Sequence, residues 1–144
     1  MRIHAIPTDV LDTARSLDDE HHEHLPEAPG SPLRCCLERS GDDEPVVLFR
    51  YSPAAGKGPY EEIGPVFAHA TPCGGPPRTD VLPAALCATP RVLRAYTPDG
   101  RIHDGVVALP DDAAFEKLFT DPEVAEIQVR SASHGCFLFA VTRD

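Results

Sequence analysis

The densest collection of chemically able side chains lies in residues 58–73, GPYEEIGPVFAHATPC. Tyr60, the adjacent carboxylates Glu61 and Glu62, His69 and Cys73 follow one another there. Imidazole is the side chain whose charge changes near neutral pH, and a neighbouring carboxylate fixes its tautomer. His69 with Glu61 or Glu62 is therefore a candidate acid–base pair. The competing reading is a core histidine satisfied by one partner. Downstream, His134-Gly135-Cys136 supplies a second imidazole and thiol. If the two segments meet, His69, Cys73, His134 and Cys136 could hold a tetrahedral zinc ion. Alternatively, Cys73 or Cys136 could be a nucleophile, with His69 or His134 as base and Glu62 orienting it. The spacing is not a recognised zinc signature.

A different chemistry is suggested by arginines. Arg50, Arg94 and Arg130 each fall inside a predicted strand, where a guanidinium needs a carboxylate or an anionic ligand. With Tyr60, Glu62, His69 and Tyr96 they could line a cleft that binds a small anion. Pairing of each arginine with a glutamate is the plainer alternative. The cluster His21-His22-Glu23-His24 invites a metal reading too, but no apolar context fixes it. It reads as a solvated helix end. The sequence has no phosphate-cradling glycine loop, no Gly-x-Ser-x-Gly elbow, no Cys-x-x-Cys pair and no His-Glu-x-x-His helix.

The elements that must position these groups are short. Pro59 and Pro65 fix φ and bias the preceding glycines away from helix, so residues 60–63 make a turn or loop. Residues 66–69 read as a strand with Phe67 and His69 on one face and Val66 and Ala68 on the other. Residues 33–38, LRCCLE, read as a strand that sends Cys35 and Cys36 to opposite faces, against residues 45–51 as hairpin partner. Residues 91–96 and 101–108 are strands joined by Thr97-Pro98-Asp99-Gly100, a hairpin turn. Residues 127–131 and 136–141 form a second hairpin. Helical spacing of Val10, Leu11, Ala14 and Leu17 predicts a helix capped by Thr8. A turn or two of helix follows in 81–87. A third helix begins at Pro110 and carries Ala114, Phe115, Leu118 and Phe119 as its apolar stripe. The expected architecture is α+β: one domain, 1–144, with a mainly antiparallel sheet of about six strands and two or three helices on it. Residues 1–31 are expected to be an N-terminal helix and proline-rich connection, and 32–144 the sheet-based core.

Composition bounds the function. A chain of 144 residues with 42% hydrophobic and 25% charged side chains suits one folded domain. The net charge of −10 argues against nucleic acid or an anionic membrane as partner. No apolar run reaches a membrane span, and the N-terminus lacks a signal peptide's apolar centre. The five cysteines, two of them adjacent, read as free thiols in a reducing cytoplasm. A non-enzymatic interaction or accessory protein whose acidic surface meets a basic partner is a third reading, and cofactor, oligomeric state and whether any reaction is catalysed are left open by these patterns.

Four collinear segments carry a resemblance: PLRCCLERS, GPYEEIGPVFAHA, RVLRAYTPDGRIHDG and SHGCFLF. From about Pro32 to the C-terminus the chain resembles a bacterial family known as domain of unknown function 1203. The resemblance implies a stand-alone small soluble protein and no assigned reaction, cofactor or catalytic residue. Many relatives hold a Pro-Cys-Arg triplet where this chain has Pro32-Leu33-Arg34 followed by Cys35-Cys36.

Overall fold

The structure, a computed structural model, describes residues 1–54 and 56–144. Ala55, inside the connection after residues 45–51, lies outside the described residues. The fold is α+β, but with eight strands in two antiparallel sheets rather than about six in one. The strands are β1 (Arg2–His4), β2 (His22–Leu25), β3 (Val46–Tyr51), β4 (Gly64–His69), β5 (Arg91–Tyr96), β6 (Ile102–Ala108), β7 (Glu126–Ser131) and β8 (Phe137–Thr142). The large sheet runs β1-β8-β7-β5-β6 and the small one β2-β3-β4. The helices are α1 (Thr8–Ser16), α2 (Ala84–Cys87) and α3 (Asp112–Phe119).

Two of the three expected hairpins form, β5–β6 and β7–β8. The first is closed by Gly100 at φ 82°, a left-handed position where a glycine has no Cβ to strain. Helix α1 starts at Thr8 behind Pro7 and has no side-chain cap, so Thr8 is not the cap expected of it. Helix α3 is capped by Asp111, whose side chain accepts from the Ala114 amide, so Pro110 lies just before the cap, two residues short of the first helical position expected of it.

Alternation splits the large sheet into two faces. Leu93 and Ala95, Ile127 and Val129, and Phe139 and Val141 face one way and pack with Leu86, Phe115 and Leu118 of α2 and α3. The other face carries Arg94, Tyr96, Gln128, Arg130, Phe137 and Ala140. Phe137 and Ala140 are covered by a second cluster with Leu11 and Ala14 of α1 and Val47, Phe49, Val66 and Ala68 of β3 and β4. The rest of that face is polar, and of it Arg94 and Arg130 line a cleft.

Two expectations fail here. Residues 33–38 are not a strand and have no hairpin with β3, which pairs with β2 and β4. They form a tight loop in which the Leu33 amide donates to Glu38 O at 2.8 Å and the Leu37 amide to Leu33 O at 3.0 Å. Leu37 takes a left-handed φ of 64°, rare for a bulky side chain, and is held there by burial among α2 and α3 residues. Leu33, Cys35 and Cys36 enter the other cluster. A segment threaded between two cores is apolar all round, like a strand buried on both faces, and period alone cannot separate the two. The histidine cluster, expected as a solvated helix end, is instead the edge strand β2, paired with β3. Residues 1–31 thus supply β1 to one sheet and β2 to the other. Strand β1 pairs with β8, placing Arg2 opposite Thr142.

Candidate functional site

Strand β4 has a cluster of reactive side chains at each end. At its start, the exposed loop 60–63 lays Glu62 over the open face of the large sheet. One Glu62 oxygen accepts from Arg94 Nη1 at 2.8 Å and pairs with Arg130 Nη2 at 3.0 Å. Arg130 is nearly buried, at 6% exposure. Its Nε and Nη2 donate to Gln128 Oε1 at 3.2 and 2.7 Å, and its Nη1 donates to Gly135 O at 3.0 Å. Arg94 Nη1 also donates to Tyr96 Oη at 3.2 Å. Burial works against the charge of Arg94, but Tyr96 and Glu62 more than compensate and hold its pKa above the ordinary value. The cleft over these groups has a volume of about 510 Å³, with His134, Cys136, Tyr51 and Pro65 on its walls. That size falls within the usual range for small-molecule sites.

At the far end, about 16 Å along a six-residue strand, sits a separate cluster. The 33–38 loop brings Cys35 and Cys36 together, Sγ to Sγ at 4.0 Å, so they do not point to opposite faces. His69 Nδ1 lies 3.6 Å from Cys35 Sγ and 3.8 Å from Cys36 Sγ. Donor atoms of Cys35, Cys36, His69 and Cys73 all lie within 4.8 Å of one another. His69 Nε2 faces Glu44 Oε2 at 3.4 Å. Cys36 is held below the ordinary thiol pKa chiefly by its hydrogen bond with Cys35, and Cys35 is pushed well above it by the same bond and by burial.

The residues singled out in the sequence are therefore divided. Glu62, Arg94 and Arg130 meet in the cleft; Tyr96 reaches it through Arg94 and is itself buried. Tyr60 is exposed on the turn before it and does not line it. Arg50 turns away, with its Nη1 3.1 Å from His21 Nε2. His69 is at the opposite end of β4, and its carboxylate partner is Glu44, not Glu61 or Glu62. Glu61 serves its own turn through Ser52 and the Gly56 amide. His69 and Cys73 do not meet His134 and Cys136, which line the cleft. His134 Nδ1 is engaged by Ser133 at 2.7 Å, and Cys136 Sγ finds only the His134 carbonyl, at 3.8 Å. Among the described residues no imidazole stands against Cys136 as a base.

Three functional positions escape sequence reading. Gln128, at 1% exposure, anchors Arg130, yet alternation with apolar residues makes it look solvated. Glu44 follows a turn and carries no local signal. Arg34 is 3% exposed, donates from Nε to Phe137 O at 2.7 Å, and burial pushes its pKa down to about 10. It ties the thiol-bearing loop to β8. No helix among the described residues is long and apolar enough to cross a membrane.

The chain belongs to the family described as protein of unknown function (DUF1203), whose sequence model matches residues 30–143. No curated protein and no solved structure matches the chain.

Proposed function

We propose that the protein binds a small anionic molecule in the cleft at the start of β4, with Arg94 and Arg130 receiving its carboxylate or phosphate. One observation carries this reading: two guanidinium groups converge on the single carboxylate of Glu62. The trio holds one positive charge more than it neutralises, at the wall of an open cleft. Glu62 is half exposed on an irregular loop, whereas both arginines rise from the sheet. It occupies the place that a ligand's anion would take and can swing aside at little cost. Arginine forks suit such groups because their paired N–H donors match carboxylate and phosphate oxygens. Five cysteines without a disulfide support a reducing, cytoplasmic setting for this binding.

A thermal-shift panel of small carboxylates and phosphates tests the reading on the wild-type chain and on Arg94→Gln. A true ligand at a hundred times its Kd raises wild-type stability by about 2.7 kcal/mol. Arg94→Gln should lose most of that response. A panel without any stabilising compound, or a binder indifferent to Arg94→Gln, would overturn it.

A further inference from the structure

We propose that Cys35, Cys36, His69 and Cys73 bind a structural zinc ion, a site beyond the anion cleft and sharing no residue with it. The first support is metric. Zinc–sulfur bonds of about 2.3 Å and zinc–nitrogen bonds of about 2.0 Å in a tetrahedron set donor atoms roughly 3.5–3.8 Å apart. Three edges of this cluster, Cys35–Cys36 at 4.0 Å, Cys35–His69 at 3.6 Å and Cys36–His69 at 3.8 Å, are of that size. Cys73 completes the set within 4.8 Å of the others. Three thiols and one imidazole form a donor set typical of closed zinc sites, and soft thiolates disfavour magnesium or calcium.

The second support is how the donors are held. His69 turns Nδ1 toward the sulfurs while Nε2 faces the Glu44 carboxylate at 3.4 Å. A carboxylate behind a ligating imidazole fixes its tautomer and raises its basicity, as metal sites commonly require. The His69 amide donates to Cys35 Sγ at 3.3 Å, a bond that favours a thiolate. The third support is charge. Three thiolates around a divalent ion leave the centre with one net negative charge. Arg15 donates through Nε to His69 O at 2.9 Å, and its buried Nη2 has no partner among the described residues. Arg15 Nη1 lies 3.7 Å from Asp12 Oδ1, and Arg15, Cys35 and Cys73 line one cavity, so the guanidinium stands beside the centre with Nη2 still to be satisfied. With all four positions filled by protein, the ion would leave no place for substrate, which makes it structural. It would pin the 33–38 loop and the segment after β4 to the end of that strand.

The test uses the full chain, purified under reductant, with zinc alone as probe and cobalt(II) as its spectroscopic stand-in. Elemental analysis should find one zinc per chain, removed by chelator and restored by added zinc. The cobalt form should show thiolate charge-transfer bands and the intense visible bands of a tetrahedral ion. Glu44→Gln keeps every ligand and should weaken zinc binding about ten- to a hundredfold. Cys73→Ser, at an exposed position that leaves the core packed, should weaken it further, whereas Cys87→Ser should bind as wild type. The proposal falls if reduced wild-type chain takes up neither ion, or if Cys73→Ser and Glu44→Gln bind zinc as tightly as Cys87→Ser.

Discussion

The two ends of β4 differ in how their polar groups are satisfied. At the start of the strand, charged groups are held by sheet residues and one loop carboxylate, and the balance of charge is incomplete. At the far end, three thiols and one imidazole, drawn mostly from loops, converge within 4.8 Å of one another. The first arrangement has capacity left for a ligand that comes and goes. The second is complete without one, given a cation at its centre. A rigid frame with a replaceable counter-ion suits recognition; a saturated donor set suits fastening.

This contrast can be broken by experiment. The largest effect is expected from stripping metal. Where free zinc stands a thousandfold above its Kd, chelation should remove about 4 kcal/mol of stability. For a domain of this size that lowers Tm by roughly 10 °C, read by a scan with and without chelator. Anion binding in the surviving folded protein should not change; if it vanishes with the metal, the two ends are not independent. Next comes Arg130→Ala, which leaves Gln128 buried without its partner. It should cost about 3 kcal/mol in urea unfolding, since one member of a buried polar network is lost. A neutral result would mean that Arg130 is held by nothing that matters.

Glu62→Gln should cost little stability, because Glu62 itself is half exposed and Arg130 keeps its bonds to Gln128 and Gly135. It should tighten small-anion binding about tenfold, or roughly 1.4 kcal/mol, measured by titration calorimetry. Weaker binding would show that Glu62 contacts the ligand instead of standing in for it. The smallest effect belongs to an exposed pair remote from both ends, His103 and Asp121, at 2.8 Å. Hydrogen bonding to Asp121 raises the His103 pKa above 6.5, so that stabilisation is full below pH 6.5 and fades as pH rises through the raised value. Hydrogen bonding to His103 lowers the Asp121 pKa below 3.8, so its share is present above pH 3.8 and fades on acidification. His103→Gln should therefore lower Tm slightly between those two values and be indistinguishable from wild type in alkaline buffer.

Local signals account for what was legible in the sequence. The turn Pro98-Asp99-Gly100, the alternation in β7, the apolar run of β8 and the stripe on α3 each point to an element that exists. The apposition of Glu62 with Arg94 and Arg130 was foreshadowed by arginines placed within strands. Elements that depend on distant partners were not legible. Strand β2 is polar and forms only because β3 offers an edge. The 33–38 loop owes its apolar character to two cores at once. Cys35 and His69 are 34 residues apart, and no short-range spacing announces their meeting. Gln128 and Arg130 alternate as a wet face would, yet the small sheet's loop roofs them over.

The pairing of β1 with β8 bears on the order of assembly. His4 and Thr142, bonded through their side chains, are separated by 138 positions. Strand β1 gains its place only when residues 140–142 arrive beside it, a contact of very high sequence separation that slows refolding. A permutant of residues 1–144 that makes β1 and β8 neighbours in sequence, and is opened at the β5–β6 turn, should refold faster.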